Sequence, residues 1–211
     1  MVFSSLEFIF RFFPAFLVLY YLTPSTYRNY VLLIGSLCFY AIGDFKYLPL
    51  ILLSVGINYI VVCQIMRHQK NSRFWFSASL IYNLGSLFFF KYIDFFIENI
   101  NALSGAVGMG VHIPAMNMEL PLGISFYTFQ IISCVADVYR GAIGGQLTFL
   151  NFAAYVTMFP KLLSGPITPF EEIGKELVKR KYNVFKLEIG LRYFIMGLAT
   201  VSYTHLRAHE T

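Results

Sequence analysis

The stretch Leu120–Arg140, LPLGISFYTFQIISCVADVYR, decides the reading of this chain. From Leu120 to Val138 it is nearly all apolar, close to the roughly 20 residues that a membrane-crossing helix needs. Its polar groups are not scattered. Gln130 and Ser133 lie seven and four residues before Asp137, so a helix puts all three on one face. Lipid offers no hydrogen bonds, so such a face lines either other helices or a water-filled path. Arg140, at the same face's end, closes the run with Tyr139 and Gly141.

Further apolar runs lie on both sides of this one. Phe3 to Leu22 is ended by Thr23-Pro24-Ser25, and a short run from Tyr30 to Ile42 by Gly43-Asp44. Tyr47 to Met66 is stopped by Arg67-His68-Gln69-Lys70, and Phe74 runs to about Ile97. A polar, Gly-rich loop is expected over Asn99 to Met118. Beyond the quoted stretch come Leu147 to Leu163, a basic stretch to Lys186, and an amphipathic helix over about Phe185 to Ala199. The composition agrees. Only 13% of residues are charged and 57% are hydrophobic, where a soluble domain has about 25% charged. The expectation is an all-α, polytopic transmembrane protein.

Orientation follows from Lys and Arg in short loops. Arg67, Lys70 and Arg73 put the third loop in the cytoplasm, and the loop from Asn99 to Met118, without Lys or Arg, outside. Counting back places the N-terminus outside, with five crossings. The sixth run breaks this rule, because crossing would put Lys161, Lys175, Lys179, Arg180, Lys181 and Lys186 outside. Pro160 and Pro166 flank this run's end, and each removes a backbone donor. A broken or re-entrant segment over Phe149 to Pro166 is therefore expected, with both ends cytoplasmic.

Other ionisable groups have ordinary readings. Glu7 and Arg11 are spaced as an i,i+4 pair, and Lys91 and Asp94 as an i,i+3 pair near a span end. His68 and His112 read as solvated loop residues, and His205 and His209 sit in a polar tail. Cys38, Cys63 and Cys134 lack metal or disulfide spacing and read as small buried hydrophobes. Net charge of +5 matches the positive-inside bias, and no basic stripe points to nucleic acid. Met1 to Leu22 has no basic n-region or small-residue cleavage site and is not read as a cleaved signal peptide. No metal site, nucleophile motif or phosphate loop is present. A transporter or channel, or a non-catalytic membrane scaffold, shares the polar fifth span, although no inverted repeat is found.

Three stretches together resemble one family. They are MVFSSLEFIFRFFP from Met1, LPLGISFYTFQ from Leu120 continuing to Asp137-Val138-Tyr139-Arg140-Gly141, and FPKLLSGPI from Phe159. They resemble the membrane-bound O-acyltransferase family, in its bacterial alginate O-acetyltransferase branch. The resemblance implies a helical membrane fold with re-entrant segments around a tunnel. It implies a multi-pass protein of the bacterial plasma membrane that moves an acyl group, usually acetyl, to an exported polysaccharide or cell-wall polymer. The donor would be acetyl-CoA or a carrier-linked acyl group, a substrate with no covalently bound cofactor. Extracellular or periplasmic partner proteins would complete the transfer. Positions matching the family are Gln130, Asp137, Arg140, Pro160, Gly165 and Pro166; with Ser133 and Lys161 they form the candidate tunnel lining. Lys161 stands where the family more often has a neutral polar residue. The family's catalytic histidine is expected beyond this chain's end, so no catalytic residue is assigned here. Residues 1–199 read as part of the membrane domain, and residues 200–211, which lose the apolar period, as a non-native tail.

Overall fold

In a computed structural model of the chain, residues 5–107, 113–143, 147–163, 165–178 and 184–209 are described. Their regular structure is helical throughout, and no strand occurs among them. His112, Lys179, Arg180 and Lys181 lie outside the described residues, as do the side chains of Lys186, His205 and His209.

A π-helical turn, Phe8–Phe12, leads into α1, Phe13–Leu22. Next come α2 (Arg28–Asp44), α3 (Leu48–Arg67) and α4 (Ser72–Val107), joined by short 3-10 turns. The helical stretches Ser25–Arg67, which holds both α2 and α3, and Gln69–Gly105 are long and apolar enough to cross a bilayer. Phe8–Leu22 and α5 (Ile124–Tyr139) are apolar but shorter. The sixth apolar run is split into α6, Phe149–Thr157, and α7, Phe159–Leu162. Two further helices follow, α8 (Phe170–Val178) and α9 (Val184–His209).

Several local expectations are corrected. The fourth run does not yield to a loop at Asn99; α4 continues to Val107. Residues 98–104 hold no proline, and Asn99 turns its amide back onto the Phe95 carbonyl (2.6 Å), so nothing there breaks the helix. Glu7 and Arg11 form no ion pair, because the π turn between them is wider than an α turn and changes their register. Lys91 and Asp94 do not pair either. Asp94 instead accepts hydrogen bonds from the Met116 (2.8 Å) and Met118 (3.3 Å) amides, while Lys91 lies over the Tyr92 ring. Of the cysteines, only Cys134 is buried; Cys38 is exposed and Cys63 half-buried. The last helix carries on past Ala199 to His209.

Polar contacts fix the helix registers. On α3 and α4, Asn58 and Asn83 face each other, and Asn58 Oδ1 accepts from Ser79 Oγ and Asn83 Nδ2, both at 2.7 Å. Such a bond contributes about 0.5–1.5 kcal/mol and favours one register. The loop before α5 is strapped down as well. Asn101 brackets Ile113, Tyr47 donates to the Glu119 carbonyl (2.8 Å), and Asp44 accepts from the Leu122 amide (3.1 Å).

The centre belongs to α6. Asn151 to Thr157 are all buried, packed among α2, α3, α5 and α8. Thr148 caps its start, and Asn29 of α2 reaches both the Asn151 side chain (2.8 Å) and the Leu177 carbonyl of α8 (3.0 Å). The break falls at Met158, whose ψ of 108° is not helical, one residue before the Phe159-Pro160 pair. The amide of Phe159 has lost its helical acceptor there. Ser36 of α2, fully buried, accepts it instead (3.2 Å). The Phe159 ring sits among Phe8, Phe12, Phe16 and Phe39, with centroids 5.1–6.1 Å away.

Candidate functional site

The polar face of α5 meets α6 and the chain entering α8. Gln130 is buried, and its Nε2 donates to the Tyr155 carbonyl at 2.8 Å. Tyr155, wholly buried on α6, sends its hydroxyl to the Thr168 carbonyl (2.8 Å), and its ring meets Phe170 edge-on at 5.1 Å. One tyrosine thus ties together α5, α6 and the segment before α8. Ser133 and Asp137, both half-buried, continue the face, with Tyr155 within electrostatic reach of Asp137.

Asp137 holds the site's distinctive atom. Its Oδ2 is shielded from solvent and has no hydrogen-bond partner. A carboxylate oxygen in that state is costly unless something donates to it. Arg140 does not: it caps α5 from an exposed position and forms no ion pair with Asp137. The i,i+3 spacing of the two is therefore not a contact. After Arg140 the chain turns through Gly141 at φ +74°, a left-handed ending that glycine adopts without strain.

The residues after the break are less gathered. Lys161 is half-buried on α7 and lies within reach of Glu172 rather than Asp137. Pro160, Gly165 and Pro166 are exposed. What the break does contribute is close packing. The Leu162 carbonyl lies directly against the Cα of Gly123, at the start of α5. The structure thus brings Gln130, Ser133 and Asp137 together, adds Tyr155 and Thr168, and leaves Arg140 and the two prolines at the surface. Tyr155 was not singled out from sequence because nothing local marks it; its role comes from partners on two other elements. His68, at the end of α3, is exposed, in keeping with a solvated histidine. No cluster suited to a metal ion occurs among the described residues.

No family model and no solved structure matches the chain. Curated proteins do. The chain is 36% identical over 201 residues to "Probable alginate O-acetylase AlgI" of Azotobacter vinelandii, and 37% identical over 201 residues to the protein of the same name in Pseudomonas aeruginosa. It is 31% identical, over a 232-residue alignment, to "Peptidoglycan O-acetyltransferase" of Helicobacter pylori. These likenesses take in 93%, 93% and 94% of the chain, but 40%, 38% and 43% of the relatives. The chain thus spans about two fifths of the length of the relatives it matches. Over nearly all of its length, through both the α5 face and the broken sixth run, the chain is thus similar to proteins named as O-acetylases and O-acetyltransferases, in keeping with its resemblance to the membrane-bound O-acyltransferase family.

Proposed function

We propose that this chain is the α1–α9 part of a membrane O-acyltransferase that transfers acetyl groups to an exported polysaccharide or cell-wall polymer. The activity class rests on the named O-acetyltransferases it is similar to. The assignment of residues rests on one observation, the shielded and unpartnered Oδ2 of Asp137 on the face it shares with Gln130 and Ser133.

In the transfer, the acceptor hydroxyl oxygen forms a bond to the acyl carbonyl carbon. The bond from that carbon to the donor sulfur breaks, and the hydroxyl proton passes through a base to the leaving thiolate. The donor is a thioester such as acetyl-CoA or a carrier-linked acyl group, bound as a substrate. Asp137 offers an acceptor oxygen in a water-poor setting, where hydrogen bonds are strong. It acts as a positioning residue for a donor group on the substrate path or on a base in the rest of the parent protein. The base itself is the histidine expected outside these residues.

The reading includes a bacterial plasma-membrane location, several crossings, an outward N-terminus, and periplasmic partner proteins. α6 has nine residues and is about 14 Å long, roughly half the hydrocarbon thickness. That length favours a re-entrant sixth segment over a crossing. Asp137→Asn in the full-length parent tests the site. It should lower polymer acetylation at least tenfold while leaving the protein in the membrane at normal abundance. Unchanged acetylation would remove Asp137 from the mechanism. Labelling of tags at Arg140 and Glu171 from the same side of the membrane is expected for a re-entrant segment; opposite sides would refute it.

A further inference from the structure

Among the described residues, three buried side-chain atoms lack a hydrogen-bond partner, and Asp137 accounts for only one of them. The other two are the hydroxyl oxygens of Tyr40 on α2 and Tyr127 on α5. Both side chains are almost wholly enclosed, at 1% and 2% exposure. They lie within electrostatic reach of one another, and Tyr127 also of Tyr82 and Asp44. Those neighbours are already engaged. Tyr82 shares a hydrogen bond with Ser54 (3.2 Å), and Asp44 Oδ2 takes the Leu122 amide. Tyr47, within electrostatic reach of Tyr40, donates to the Glu119 carbonyl.

Two enclosed hydroxyls within electrostatic reach of each other, with Tyr82, Tyr47 and one oxygen of Asp44 engaged elsewhere, leave unpartnered polar groups in an apolar core. Phenylalanine would fill the same space without stripping a hydroxyl of water. A buried water, which typically makes about three hydrogen bonds to such groups, removes that cost. We propose that the Tyr40 and Tyr127 hydroxyls hold a buried water molecule between α2 and α5, with Asp44 and Tyr82 around it. The water would join the two helices near the start of α5. Asp137 lies ten residues further on, about 15 Å along the helix, so this site is separate from the candidate acyl-transfer face. It does not depend on the acyl-transfer reading.

The test uses the 211-residue chain in lipid nanodiscs. Tyr40→Phe and Tyr127→Phe should each lower the melting temperature by a few degrees. The double variant should fall no further than the lower single one, because the first substitution already frees the water. A rise in melting temperature for each substitution, adding in the double variant, would mean dry hydroxyls and would overturn the proposal. A density map fine enough to show ordered water should contain a peak about 2.8 Å from both oxygens. Empty space there, or a direct bond between the two hydroxyls, would equally overturn it.

Discussion

Gly123→Ala tests the packing that sets the start of α5 against the break in the sixth run. Gly123 has φ +69°, a left-handed conformation that costs an L-residue with a side chain roughly 1–2 kcal/mol. A Cβ at this position would also overlap the Leu162 carbonyl oxygen, with the carbonyl carbon at 3.3 Å and Leu162 Cγ at 3.5 Å. The obstacle is backbone and cannot rotate away, so α7 must shift, at a further cost of about 1–3 kcal/mol. Together these give a destabilisation of about 2–5 kcal/mol, or roughly 5–15 °C in melting temperature for a chain of this size. The assay is thermal unfolding of the purified chain in a mild detergent, followed by helix content. Gly141→Ala separates the two contributions. It has φ +74° but nothing within 4 Å of a Cβ, so only the conformational cost applies. Gly85→Ala, in open space on α4, should be neutral or raise the melting temperature slightly, by about 1 kcal/mol at most. Should Gly123→Ala melt no lower than Gly141→Ala, the close approach of Leu162 to α5 would be refuted.

Further substitutions probe other contacts. Ser36→Ala strands the Phe159 amide at the break and should cost about 1–3 kcal/mol, visible as a lower melting temperature; an unchanged melt would show that Ser36 does not satisfy that amide. Asn58→Ala removes an acceptor shared by Ser79 and Asn83 and should cost a similar amount of about 1–3 kcal/mol, while Asn58→Ala and Asn83→Ala combined should cost less than their sum. Tyr155→Phe frees the Thr168 carbonyl and should lower acetylation by the full-length parent more than it lowers protein abundance; equal losses would reduce Tyr155 to a purely structural role. Lys46→Ala, by contrast, should leave the melt unchanged, because the Lys46–Glu119 pair is exposed on both sides.

Sequence by itself determined the helical class, the approximate position of every long apolar helix, and the face that joins Gln130, Ser133 and Asp137. It also placed a break near Pro160. These are local properties: apolar length, a period of 3.6 residues, and a ring that removes an amide donor. Tertiary structure decided what those elements do with their polar groups. The break lies at Met158 and is tolerable because Ser36, 123 residues earlier in the chain, accepts the freed amide. Spacing suggested that Asp94 would meet Lys91, yet two loop amides compete for it and win. Asp137 and Arg140 share a spacing but not an environment, since the helix ends between burial and solvent. Tyr155, Tyr40 and Tyr127 were legible only as aromatic residues among many. Whether a tyrosine hydroxyl meets a carbonyl, as at Thr168, or no protein group, as at Tyr40, depends on which distant helix packs against it. Periodicity along one helix carries no information about that partner.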